Sequence, residues 1–221
     1  MQATTTGTST PKPTPSSGAR ELLKWIALLA MTGDHVAKVV FGGYVPVVGE
    51  LGRIAFPLFA LVVACNLAQP GADLRKSMRR LALWGLIAQP LHAFAFGFWL
   101  PLNILLTFVL AAIAVHALAN SRPVQLLLAA GLLPMFVDYQ WAGVGSVVLA
   151  WIAFRHRAWW PPLAVLAAVC WANHNGWALL AVPVVVLATR VPWQLPRWRW
   201  AFYGYYVGHL AVLALIAHLL A

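Results

Sequence analysis

The stretch WIALLAMTGDHVAKVVF, Trp25–Phe41, is a long apolar run that contains an adjacent acid and base, Asp34 and His35. The run is long enough to enter a lipid bilayer, where ionisable side chains are unfavourable unless they are paired. Ionisable residues at membrane depth usually serve ion pathways, proton relays or catalysis. The run therefore predicts a membrane helix, and Asp34 and His35 indicate where its function lies.

The composition extends this expectation to the whole chain of 221 residues. It is 62% hydrophobic and only 9% charged, which leaves too few polar residues to cover a soluble core of this length. We therefore predict an all-α fold, a polytopic integral membrane bundle. The net charge of +10 comes from small basic clusters between apolar runs. This pattern favours loops beside anionic membrane lipid and argues against nucleic-acid binding.

The apolar segments predict about nine transmembrane helices, at 21–41, 51–69, 79–98, 101–119, 123–137, 142–155, 159–172, 175–190 and 200–220. Residues 1–19 are rich in Ser, Thr, Pro and Gly, and predict a disordered cytoplasmic tail before one membrane domain, 20–221. Lys and Arg cluster between alternate segments. The positive-inside rule then predicts a cytoplasmic N-terminus and a C-terminus on the outer side.

Helix rise sets the depth of the polar residues in this topology. His35 lies about 16 Å along the helix axis from Lys24, which places Asp34 and His35 near the middle of the bilayer. Other polar residues are expected at middle or outer depth, so that the polar groups converge there. They are Arg53, Gln89, His92, Asn103, Thr107, Asp138 and His209.

Asp34 and His35 are predicted to have separate partners, because neighbours on a helix point about 100° apart. Asp34 can pair with Lys38 four residues later or with a cation on another helix. His35 then faces the bundle as a candidate general base, since histidine exchanges protons near neutral pH. The alternative is a structural ion pair beside a buried core histidine.

Arg53 opens the second apolar segment and requires a counter-charge, for which Asp34 and Asp138 are the acids at suitable depth. Its guanidinium could hold an anionic group or stabilise developing negative charge, or it could only fix packing or reach the interface. Asn103 and Thr107 share one helix face, and Gln89 lies at middle depth. Polar groups of this kind either line a site or join helices.

The cluster Arg75, Lys76, Arg79 and Arg80 is predicted on the cytoplasmic side. It either sets the topology or binds the phosphates of coenzyme A. No metal site is predicted, because the histidines lack HxxxH and HExxH spacing and the two cysteines lie far apart.

An ordered set of motifs resembles the TraX family of conjugative-transfer membrane proteins. The similarity covers most of the chain from Lys24 onward. At Val207-Gly208, before His209, this chain lacks the proline expected in the family. The matching residues are Lys24–Ala27, Asp34-His35, Leu51–Phe59, Arg79–Leu81, Gln89-Pro90, Leu102–Thr107, Asp138-Tyr139 and His209 after Tyr205-Tyr206.

This resemblance implies a membrane acyltransferase that takes acetyl groups from cytosolic acetyl-CoA and passes them to the N-terminal amine of a pilin subunit in the bacterial inner membrane. His35 would be the base or acyl carrier, with Asp34 and Arg53 beside it. The remaining roles implied are a substrate site that includes Gln89, Asn103, Thr107, Asp138 and His209, and a coenzyme site at Arg75, Lys76, Arg79 and Arg80.

Other functions stay open at this point. The acceptor could be a sugar or lipid hydroxyl, which keeps the acyltransferase chemistry. The protein could instead be a non-catalytic assembly factor that binds pilin. A proton-coupled permease with Asp34, His35 and Arg53 as a relay is a third reading, although the chain shows no convincing internal repeat.

Overall fold

A computed structural model describes residues 15–156, 158, 160–190, 192, 195–198 and 200–220. Most of the expected N-terminal tail lies outside these residues, as do Arg157 and Arg199 of the basic clusters. In the described part, the fold is all-helical apart from one isolated bridge between Leu102 and Val137. The predicted all-α class is therefore confirmed.

The helices range from four to 24 residues in length. The α-helices are α1 Ser17–Val40, α2 Val48–Gly52, α3 Ala55–Leu67, α4 Leu74–Phe96, α5 Ile104–Ala119, α6 Pro123–Leu126, α7 Gln140–His156, α8 Trp160–Asn173, α9 Ala181–Arg190 and α10 Ala201–Leu220. Leu127–Leu132 continues α6 as a π-helical turn, and 3₁₀ turns follow at Leu133–Phe136 and precede α9 at Trp177–Leu180. With these turns joined to their neighbours, and with α2 and α3 read as one broken helix, the described chain has a helical segment for each of the nine predicted ones.

Polar side chains cap three of the helices. Ser16 accepts a hydrogen bond from the Ala19 amide at the start of α1, and Asp73 accepts one from the Lys76 amide at the start of α4. Asn103 caps α5 in the same way. These caps satisfy amides that have no partner within the helix, and they explain why the helices begin at these residues.

Two helical segments are long and apolar enough to cross a membrane, Val48–Leu67 and Ala201–Leu220, among the residues that the structure describes. Several others are equally apolar but shorter than a full span. The prediction of nine spans goes beyond this result and stays a prediction.

The outer face of α4 is apolar. Leu83, Leu86, Ile87 and Phe94 recur at helical spacing along it, and the exposed fractions of Leu86 and Phe94 are 65% and 70%. The opposite face is buried and includes Gln89 and other polar residues. A helix that presents its apolar side outward and its polar side inward is the reverse of a soluble surface helix.

Small residues line the contacts between helices. Ala60, Ala64, Ala88, Ala111 and Ala114 are fully or almost fully buried. They let α3, α4 and α5 approach closely, as in helix packing within membranes. α10 packs against both α4 and α1, so the last helix of the chain lies beside the first.

Candidate active site

A cavity of about 560 Å³ brings together Asp34, His35, Arg53 and Asp138. These four predicted residues come from α1, from the turn between α2 and α3, and from the segment before α7. The remaining walls include aromatic and polar groups from α4, α8 and α10. They include His92, Tyr139, Trp141, Trp171, Asn173 and Tyr206.

Asp34 pairs with Lys38, its neighbour one helical turn later on α1. The Lys38 Nζ donates to Asp34 Oδ2 over 2.6 Å. The Lys38 side chain is 44% exposed, whereas that of Asp34 is 16% exposed, so the pair reaches from the cavity towards its mouth. Asp34 was predicted to pair either with Lys38 or with a cation on another helix, and the structure shows the pair with Lys38.

The backbone of α2 lies directly against Asp34. A Cβ atom built on Gly52 would stand 2.7 Å from Asp34 Cβ and 3.2 Å from its Oδ1. Only glycine therefore allows α2 to approach α1 this closely. This approach delivers Arg53, the next residue, into the same cavity.

Arg53 contacts an amide rather than an acid. Its Nη1 donates to Asn173 Oδ1 at the end of α8, over 3.4 Å. No carboxylate lies within 4.0 Å of this guanidinium among the described residues, which corrects the expected pairing of Arg53 with Asp34 or Asp138. The reason is local: Lys38 already holds Asp34, and Asp138 accepts from the Tyr139 amide.

Asp138 lies in a strained part of the cavity wall. The Asp138 amide donates to the Leu102 carbonyl over 2.8 Å, which ties this segment to the start of α5. Tyr139, the next residue, has φ +57°, a left-handed conformation that is uncommon for a bulky residue. Its ring stacks on Phe56 with centroids 4.1 Å apart. Conformational strain of this kind is often held at functional sites.

His35 is hydrogen-bonded to His209. The two atoms joined are His35 Nδ1 and His209 Nε2, 2.9 Å apart. His209 Nδ1 lies 3.1 Å from the Tyr205 carbonyl oxygen on its own helix, α10. His209 is predicted above to contact substrate, but the cavity walls contain His35 and not His209.

Asn103, Gln89 and Thr107 lie behind the cavity wall rather than on it. Asn103 is fully buried, and its amide nitrogen donates to Gln89 Oε1 and to the Gly85 carbonyl, each over 2.8 Å. Thr107, also fully buried, donates to the Asp138 carbonyl over 2.8 Å. These side chains support the wall, and their hydrogen-bonding groups contact the protein itself.

Replacing Asn103 by alanine is expected to lower the free energy of unfolding by about 1–3 kcal/mol, because it removes a helix cap and the buried side-chain hydrogen bonds to Gln89 and Gly85. Denaturant unfolding of the detergent-solubilised protein measures this. Asn120→Ala, at the exposed end of the same helix, is the matched control and should change the stability by less. Equal effects would contradict the structural role of Asn103.

A second cavity of about 630 Å³ opens at the other end of α1. Its cations are Arg20, Lys24, Arg80 and Arg197, and Arg20 is buried with only 8% exposed. The Nε atoms of Arg20 and Arg80 are buried without a hydrogen-bond partner among the described residues. The two cavities share four wall residues. These are Met31, Phe59, Ile104 and Tyr206.

The predicted basic cluster on α4 is only partly at this cavity. Ser77, Arg80 and Leu81 lie on one helix face and line it, whereas Arg75, Lys76 and Arg79 are exposed on other faces. Of the four cations predicted to bind coenzyme, Arg80 alone lines this cavity, and the other three cations in its wall come from α1 and from the segment before α10.

Sequence reasoning left several wall residues out of the site. His92 was identifiable from its depth and from its position one turn after Gln89. Tyr139 and Tyr206 belong to the motifs quoted above, although no site role was predicted for them, whereas Asn173 carried no comparable signal.

Comparison with known proteins adds an independent observation. Residues 19–217 match the family described as TraX protein. The chain is similar to Protein TraX of Escherichia coli, with 29% identity over 91% of this chain and 88% of that protein. It is also similar to Protein TraX of Escherichia coli strain K12, with 35% identity over 44% of this chain and 39% of that protein. No solved structure matches the chain.

Proposed function

This chain belongs to the TraX family, and from that premise we propose that it is a membrane-embedded acetyltransferase. It moves an acetyl group from cytosolic acetyl-CoA to the N-terminal amine of a conjugative pilin subunit. One observation carries the proposal: the cavity with Asp34, His35 and Arg53 shares wall residues with a second cavity rich in cations.

The proposed location is the bacterial inner membrane, which the chain crosses several times with a cytoplasmic N-terminus and an outer C-terminus. The apolar outer face of α4 supports this, because Leu86 and Phe94 would be unfavourable in water. Arg20, Lys24, Arg80 and Arg197 line one cavity. Their clustering supports one common side for these cations, as the positive-inside rule requires.

The donor enters through the cationic cavity in this proposal. Acetyl-CoA carries phosphates, and guanidinium and ammonium groups bind phosphate through charge-assisted hydrogen bonds. Arg20 and Arg80 line this cavity, and their guanidinium groups can supply such bonds. The thioester then reaches the four residues shared by the two cavities.

The acceptor enters the other cavity and reacts there. The nitrogen of the neutral pilin amine attacks the thioester carbon, and His35 takes the proton that this nitrogen loses as the N–C bond forms. Arg53, or Lys38 beside Asp34, stabilises the negative charge that develops on the thioester oxygen. The carbon–sulfur bond breaks, an amide forms, and the proton taken by His35 passes to the departing coenzyme A thiolate.

A second candidate is O-acetylation of a sugar or of a lipid headgroup. The observation that favours it is the pair of exposed tryptophans, Trp141 and Trp171, in the wall of the cavity that holds His35. Flat aromatic faces of this kind also suit sugar rings. In that reaction a sugar hydroxyl replaces the amine, and His35 keeps its role as base.

Intact-mass analysis of pilin from cells with and without this protein tests the proposal. We expect a gain of one acetyl group only when the protein is present, and the same gain in vesicles supplied with isotope-labelled acetyl-CoA. Identical pilin masses would reject pilin as the acceptor, and labelled sugar or lipid in the same vesicles would then support the second candidate.

A further inference from the structure

The pair formed by His35 on α1 and His209 on α10 has a defined hydrogen-bond direction. We propose that His209 is a positioning residue: by accepting a hydrogen bond from His35 Nδ1, it holds His35 in the tautomer whose Nε2 is unprotonated. The consequence for catalysis rests on the proposed function, whereas the tautomer itself does not.

The direction follows from the Tyr205 carbonyl, which can only accept a hydrogen bond. His209 Nδ1 lies 3.1 Å from this oxygen and must therefore carry a hydrogen. A neutral imidazole has one N–H, so His209 Nε2 has a free lone pair. His35 Nδ1, at 2.9 Å, is then the donor, and His35 Nε2 is left as the unprotonated nitrogen.

Aromatic contacts hold both rings in place. The planes of the two imidazoles are inclined by only 19°, and the edge of His35 meets Phe96 with centroids 5.1 Å apart. On α10 the rings of Tyr205 and Tyr206 lie 5.5 and 5.4 Å from that of His209. These contacts restrict ring rotation, so the orientation of the pair is built into the packing of α10 on α1.

The pair also stabilises the charge that the base acquires. When His35 Nε2 takes a proton from the acceptor, His35 becomes a cation that donates from Nδ1 to His209 Nε2, while His209 still donates to Tyr205. Lys38, Arg53 and His92 line the cavity of His35, so the base becomes charged near other basic groups, and the hydrogen bond to His209 offsets part of this cost.

Two amide substitutions at position 209 separate this role from a merely structural one. The Oε1 of glutamine can occupy the place of histidine Nε2, whereas the amide of asparagine reaches only the place of Nδ1. We expect His209→Gln to keep kcat for acetylation within a few-fold of the wild type. His209→Asn and His209→Ala should lower kcat by about 10²-fold or more, with the KM for acetyl-CoA unchanged.

Thr32→Val is the matched control, since Thr32 Oγ1 lies 2.9 Å from the Tyr205 hydroxyl across the same two helices. It removes an α1–α10 hydrogen bond one turn away from the pair, and kcat should stay near the wild-type value. Equal losses of kcat in His209→Gln and His209→Asn would overturn the proposal. A change in the KM for acetyl-CoA with kcat unaltered would also overturn it.

Nitrogen NMR of ¹⁵N-histidine-labelled protein in lipid bilayers tests the tautomer without any assay of activity. We expect His35 with a protonated Nδ1 and an unprotonated Nε2 in the wild type, and a mixture of tautomers in His209→Asn. A wild-type His35 protonated at Nε2 overturns the proposal even if acetylation occurs. The expected tautomer in a protein that acetylates neither pilin nor sugar would instead reject the proposed function and leave the histidine pair standing.

Discussion

Pilin acetylation is expected to fall by about 10²–10⁴-fold when His35 is replaced by alanine, because the reaction then lacks its base. The amine must lose a proton as it attacks the thioester. Among the described residues, the other histidines in the wall of the same cavity are His92, whose Nδ1 has no partner to orient it, and the exposed His174. Single-turnover acetylation of pilin in vesicles, read by intact mass, measures the loss.

His218→Ala is the matched control for this variant. His218 is exposed near the end of α10 and lies outside the walls of both cavities described above. The His218→Ala protein should acetylate pilin at the wild-type rate. If His35→Ala inserts normally, binds acetyl-CoA and still acetylates pilin at the wild-type rate, His35 is not the base.

The second large effect is expected at the cationic cavity. Arg80→Gln should raise the KM for acetyl-CoA by about 10- to 100-fold, because it removes a charge-assisted hydrogen bond to a phosphate group. The kcat should change little, since Arg80 is not in the wall of the cavity that holds His35. Initial rates over a range of acetyl-CoA concentrations separate the two constants.

Arg79→Gln is the control, because Arg79 is the preceding residue, carries the same charge and points away from the cavity. Any effect that depends only on net charge or on topology would appear equally in both variants. An equal KM for Arg79→Gln and Arg80→Gln would therefore contradict the assignment of Arg80 to the donor site.

The helices were predictable from the sequence, because hydropathy and caps are local properties. The Asp34–Lys38 pair was predictable for the same reason, since both residues lie on one helix four positions apart. The partner of Arg53 was not. Asn173 is 120 residues away, and nothing in the sequence separates this amide from the acids that charge alone would favour.

The orientation of side chains limited the rest of the site prediction. Asn103 and Thr107 share a helix face, as predicted, but this face is turned into the protein, where both side chains are bonded to main-chain groups. In the α4 cluster, Arg80 lines the second cavity together with Ser77 and Leu81, whereas its basic neighbours are exposed on other faces. Both this orientation of α4 and the contribution of Arg197 required the tertiary fold.

The four side chains shared by the two cavities have a consequence for the permeability of the membrane. Met31, Phe59, Ile104 and Tyr206 stand where the two cavities meet, and three of them carry no polar group. If the chain spans an energised bilayer as proposed above, water in both cavities would concentrate the electrical potential across these side chains. Their apolar groups would then hinder the passage of ions between the two cavities.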